Sequence, residues 1–160
     1  MTRMSKPNPA PPVVDHVSDA TLRGFVGYHM KRAFNVVQAD LANTLKPYDL
    51  RMITYSALVL IVDNPGLRQS QLADAMDIER PNLVVIIDEL ERRDLILREK
   101  VPTDRRAYAL VPTLAGRQLC QRAVAAVRGH EMRLLRGANP QDIALTLSVL
   151  KRIEAGGLKE

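Results

Sequence analysis

Apolar residues recur along this chain at two periods, and the place where one gives way to the other marks its centre. Leu83, Ile86, Ile87 and Leu90 follow the three-and-four spacing of a single helical face. Pro81 stands just ahead of them, suited to a first helical turn because its missing N–H would have no intrahelical partner there. After Asp94 the pattern changes: Leu95 to Val101 reads as a strand and Ala107 to Val111 as its return partner. Between them lies Pro102-Thr103-Asp104-Arg105-Arg106, whose Pro, Thr and Asp suit a chain reversal. The paired arginines do nothing for the turn and place positive charge at its tip.

Helical spacing governs the rest. Ser18 or Asp19 can cap a helix carrying Leu22, Phe25, Val26, His29, Ala33, Val36, Val37 and Leu41 along one side. It is expected to run to about Leu45, where Pro47 disfavours continuation. A helix from Arg51 to about Val62 is apolar almost all round, as a central core helix would be, and Asn64-Pro65-Gly66 ends it. A short helix over Gln69 to Met76 follows, anchored by Leu72, Ala73 and Met76. Asp77-Ile78-Glu79 then turns into the Arg80 helix. Beyond the hairpin, Thr113 can cap a long helix through Leu119, Ala123 and Leu135. Gly137-Ala138-Asn139-Pro140 breaks it, and Gln141 to Glu154 forms an amphipathic helix through Ile143, Leu147, Leu150 and Ile153.

Two short helices, a turn and a basic hairpin in this order are the layout of a winged helix-turn-helix, which places its second helix in a DNA major groove. A structural helix followed by a solvated loop is the alternative reading of the same residues. The fold class expected is therefore mainly α with a small β-hairpin wing. A Pro-rich arm over 1–17, containing Pro7, Pro9, Pro11 and Pro12, precedes one domain over 18–160. Within that domain the winged-helix lobe is expected over about 48–113, with dimerisation helices over 18–47 and 114–160. The outer helices carry more apolar surface than one small core can cover, which calls for a second copy.

Composition narrows the partners. A formal net charge of +5 permits a polyanionic partner. No apolar run approaches the roughly 20 residues that span a bilayer, and no apolar stretch of a secretory signal opens the chain, so a cytoplasmic protein without membrane contact is expected. The single cysteine, Cys120, cannot form an internal disulfide, and its apolar neighbours argue against a reactive thiol. His16, His29 and His130 are far apart and lack partner cysteines, so no metal is expected. With no nucleophile and base at readable spacing and no glycine-rich phosphate loop, neither an enzyme nor a cofactor is expected.

The sequence resembles the MarR-type transcriptional regulators over about Gly24 to Arg122. Asp104-Arg105-Arg106, followed by Ala107 to Val111, Thr113 and Gly116, resembles the family's wing and the start of its long fifth helix. Gln71-Leu72-Ala73 and Asp88 to Ile96 look like its third and fourth helices. The resemblance implies an intertwined homodimer and a small-molecule pocket between the dimer helices and the DNA-reading lobe. It also implies that Arg106 inserts into a minor groove, Asp104 orients it, and Arg105 makes a secondary or phosphate contact. Three departures stand out: Asp94 where a glycine is usual, Pro112 where a leucine is common, and Val84 and Val85 where many members have polar or basic residues.

The candidate DNA contacts are Arg80 and Asn82 for base edges or phosphates, and Arg68, Gln69, Ser70 and Gln71 at the preceding helix start for phosphates. A merely capped, solvated helix end is the plainer reading of the latter group. Val84 and Val85 can meet thymine methyls or be buried in the core; Arg98 and Lys100 read as solvated. Tyr28, His29, Arg32, Met52 and Tyr55 are candidate ligand residues, with packing as their alternative role. The function expected is a homodimeric repressor on double-stranded DNA, released by a small aromatic acid or its acyl thioester. The alternative is a winged-helix protein-interaction module without specific DNA binding.

Overall fold

The computed structural model describes residues 16–101 and 104–156, with the side chains of 104–107 outside that description. The described residues divide into two compact units, one up to Asn35 and one from Val36 onward. In the first, a 3-10 turn over Leu22–Gly24 precedes helix α1, which spans Val26–Leu45 and so continues into the second. The helix starts later than its apolar spacing predicts because Phe25 is extended and Asp19 does not cap it. The Asp19 carboxylate instead accepts from Arg23 Nε at 2.8 Å and from Tyr28 OH at 2.6 Å. These bonds, that from Tyr28 foremost, hold its pKa down at about 2.

The second unit contains the core. Helices α2 (Met52–Asp63), α3 (Gln69–Met76), α4 (Arg80–Arg92) and α5 (Leu114–Leu134) surround a three-stranded antiparallel sheet of order β1-β3-β2. Its strands are Leu67–Arg68, Ile96–Val101 and Asp104–Pro112. The two-residue strand β1 is too short to leave a periodic signature and exists through its pairing of Leu67 with Leu110 and Arg68 with Ala109. Strand β3 begins at Asp104 rather than at Ala107, because the register shifts between Lys100 and Val101 and the ladder closes on a Val101–Asp104 pair. That shift carries the hairpin through residues whose composition suggests only a turn.

Helix α2 lies at the centre, packed against α3, α4, α5 and β3, with Thr54, Ala57, Leu58 and Ile61 buried. His130 of α5 is also buried, its Nδ1 2.6 Å from Asp40 Oδ2 on α1. At the end of α4 the chain turns through Asp94 at φ 53°, the left-handed conformation a glycine would adopt freely. Thr113 closes the same corner. Its Oγ1 donates to Asp94 O at 2.6 Å and accepts from Gly116 N at 2.9 Å, capping α5. Gly116 packs directly onto the Leu95 carbonyl, leaving no room for a side chain. The last helix, α6 (Pro140–Ala155), is capped by Asn139 and buries none of its residues within the chain.

Candidate nucleic-acid interface

Arg68 precedes α3, and its backbone N–H donates to Gln71 Oε1 at 2.8 Å. Gln71 therefore spends its acceptor on the helix start, while Gln69 and Ser70 are half-buried beside it and Arg68 is exposed. Asp77 ends α3 in the left-handed region at φ 50°, giving the tight corner from which α4 departs. Asn82 N and Leu83 N donate to Glu79 O, so α4 starts its hydrogen bonding at the turn itself.

Helix α4 has two distinct sides. Leu83, Ile86, Ile87 and Leu90 are buried. Arg80 and Asn82 are exposed, and Val84 and Val85 retain 43% and 64% of their surface. Core burial of the two valines, one of the readings their sequence leaves open, is thereby overturned. Their positions fall between the apolar residues of the helical repeat and turn away from the core. The wing hairpin of β2 and β3 follows. The side chains of Asp104, Arg105 and Arg106 lie outside the described residues.

The second half of α4 is braced. Arg51, just before α2, pairs with Glu89. Arg93 donates to the carbonyls of Asp49 at 2.6 Å and Tyr48 at 3.1 Å. Arg98 of β2 is not the solvated ribbon residue its position suggests. It donates to Glu91 Oε2 at 2.6 Å and to Asp88 Oδ1, because strand β2 runs back along the helix that precedes it.

Beside this bracing lies a cavity of about 620 Å³ lined by Gln38, Ala42, Asn43, Lys46, Asp49, Leu50, Arg51, Met52, Ile53 and Glu89. Of the five candidate ligand residues it contains Met52. Tyr55 packs against the core, where burial raises its pKa. Tyr28, His29 and Arg32 cluster with one another in the first unit. There the Arg32 guanidinium lies 5.5 Å from the Tyr28 ring centroid, and His29 Nε2 is 2.9 Å from Arg23 O. Lys46, Arg51 and Glu89 are cavity residues that sequence reasoning passed over. The alternation of charged and apolar residues across Asp49-Leu50-Arg51-Met52 was the available signal. Cys120 is buried, and burial pushes its thiol pKa up, against a reactive role.

A short helix, a left-handed corner, a second helix with one face free, and an antiparallel hairpin make this a winged helix-turn-helix protein. The model of the MarR family matches residues 50–108. The chain is 30% identical over 152 residues to a putative transcriptional regulatory protein for the hcr operon from Thauera aromatica, covering 94% of this chain and 92% of that protein. The chain belongs to the MarR family of transcriptional regulators. It is also similar to the transcriptional repressor CouR bound to a 23-mer DNA duplex, with 34% identity, a TM-score of 0.83, and coverage of 88% of this chain and 99% of CouR. CouR from Rhodococcus jostii RHA1 bound to p-coumaroyl-CoA matches with 27% identity and a TM-score of 0.77, over 87% of this chain and 98% of that one.

Proposed function

We propose that this protein is a homodimeric, ligand-responsive DNA-binding regulator acting in the cytoplasm. In this reading it is a repressor that leaves a pseudo-palindromic operator when a small aromatic acid or its acyl thioester binds. The observation that carries the reading is the free face at the start of α4, where Arg80, Asn82, Val84 and Val85 are exposed while the opposite face is buried. Arginine and asparagine can make bidentate contacts to guanine and adenine, each contributing roughly 1–3 kcal/mol of discrimination, and valine can cover a thymine methyl. Arg68, Gln69, Ser70 and Gln71 supply phosphate contacts at the start of α3, and Arg105 and Arg106, with Asp104, act from the wing. Exposed apolar residues on α6, including Leu147, Leu150 and Ile153, support burial against a second copy. A two-fold pair would present its reading helices about one DNA turn apart.

The cavity supports an anionic effector. Leu50, Met52 and Ile53 offer an apolar wall, and Lys46 and Arg51 offer positive charge beside the carboxylates of Asp49 and Glu89. The acyl thioester bound by CouR agrees with that chemistry. An anion competing with Glu89 for Arg51 would alter the bracing of α4 and so connect the cavity to DNA affinity. Substituting Tyr28, His29, Arg32, Met52 and Tyr55 in turn would test each as a ligand residue by its effect on effector response.

A gel shift with genomic fragments at physiological salt, with and without p-coumaroyl-CoA and free aromatic acids, tests the reading. Preference for particular fragments over competitor DNA, relieved by one of these compounds, is the expected result. Binding no fragment better than competitor contradicts it. Changing Arg105 and Arg106 to Ala together should lower affinity at least about tenfold and flatten the salt dependence. A protein-interaction module would be indifferent to the change.

A further inference from the structure

We infer that Arg98 is a positioning residue that sets the reading helix against the wing, so that base discrimination depends on a side chain that does not itself touch DNA. This rests on the DNA-binding reading of α4. Arg98 lies within β2, paired across the ladder with Leu110, and is therefore fixed in the sheet that forms the wing. Its two terminal nitrogens go to different carboxylates of α4, one to Glu91 Oε2 at 2.6 Å and one to Asp88 Oδ1. Residues three apart lie on one helical face, so a single planar fork spanning both opposes rotation of α4 about its axis as well as sliding along it.

Asp88 follows Val84 by four residues and Val85 by three, and so lies one turn further along the exposed side of the helix. Without Arg98, two unneutralised carboxylates would extend the face offered to a polyanion. The half-buried side chain of Arg98, held at both terminal nitrogens, fits a bracing role better than an incidental surface pair. Arg98 Nε is buried and has no hydrogen-bond partner among the described residues. Leaving a buried donor unmatched is unfavourable, and the two charge-assisted bonds at the other nitrogens are what offset it. Lysine has the charge but not the rigid fork, and cannot hold both carboxylates in one geometry.

The test begins by selecting duplexes from a random pool with the wild-type chain. Affinities of wild type, Arg98→Met and Arg98→Lys are then measured by fluorescence anisotropy for the selected site, for single-base variants of it and for unrelated DNA, across a salt series. Arg98→Met should bind the selected site at least tenfold more weakly and lose much of its preference over single-base variants. Its salt slope should fall by well under one, since the freed carboxylates repel the duplex but no phosphate contact is removed. Arg98→Lys should recover affinity for unrelated DNA but not base preference. In an Asp88→Asn, Glu91→Gln background, Arg98→Met should add little further loss of preference.

Thermal melts identify any variant that has unfolded, in which case Arg98→Lys decides the matter. Wild-type discrimination in folded Arg98→Lys overturns the inference, and so does a salt slope reduced by about one, which would place Arg98 on a phosphate. A wild-type chain that selects no duplex removes the DNA-binding reading and this inference with it. Selection by wild type with unaltered discrimination in the Arg98 variants removes only the inference.

Discussion

Helices α4 and α6 carry the same kind of pattern in opposite circumstances. Leu83, Ile86, Ile87 and Leu90 of α4 are buried against α2, α3 and the sheet, whereas Ile143, Leu147, Leu150 and Ile153 of α6 repeat the spacing and none is buried within the chain. An amphipathic period therefore says that a face seeks cover, without saying which surface provides it. For α4 the cover is local, supplied by elements within a few dozen residues. For α6 no element among the described residues buries it, and the proposed second copy does.

The largest effect that sharpens this contrast is expected at Ile87. Its side chain is fully buried, so Ile87→Ala should destabilise the fold by about 2–5 kcal/mol, read as a lower urea midpoint with an unchanged slope. A cost near zero would mean that α4 is no more integrated than α6. Next comes Gly116→Ala, which forces a methyl group onto the Leu95 carbonyl at the joint between the hairpin and α5. Overpacking of this kind typically costs about 1–3 kcal/mol. Thermal melting at wild-type temperature would show that α5 can move away from Leu95.

Leu150→Asp on α6 is expected to behave the other way round. Its effect on the stability of the separated chain should stay within about 0.5 kcal/mol, while dimer dissociation should become at least tenfold easier, about 1.4 kcal/mol. Sedimentation at graded concentrations separates the two, and an unchanged dissociation constant would remove α6 from the interface. The smallest effect is at Asp19. Its folded pKa is depressed, so any stabilisation it gives is complete above its ordinary value of 3.8 and is lost as pH falls through about 2. Carboxyl NMR should find its midpoint near 2 in the native chain and closer to the ordinary value in Tyr28→Phe.

What was legible in the sequence follows from how far each signal reaches. The helices α3 and α4, the cap at Thr113 and the break before α6 are local patterns, and local chemistry builds them. Asp94 was legible as a departure from the usual glycine, and it adopts the left-handed conformation that a glycine would adopt freely. The extended residue Phe25 was not, because Asp19 looks like a cap until its carboxylate is seen to hold Arg23 and Tyr28. Nor were β1 and the early start of β3, which depend on pairing across the sheet rather than on composition. The cavity was least legible. Gln38, Asp49 and Glu89 come together only when α1, the turn before α2 and α4 are assembled. Arg98 looked solvated for the same reason, since its carboxylate partners lie on the preceding helix.

The most direct test of the account is the stoichiometry on DNA, measured by sedimentation of the chain with a selected duplex. Two chains per duplex, bound to half-sites about one turn apart and to no duplex carrying a single half-site with equal affinity, is the predicted result. One chain per duplex, with equal affinity for one half-site or two, would contradict it.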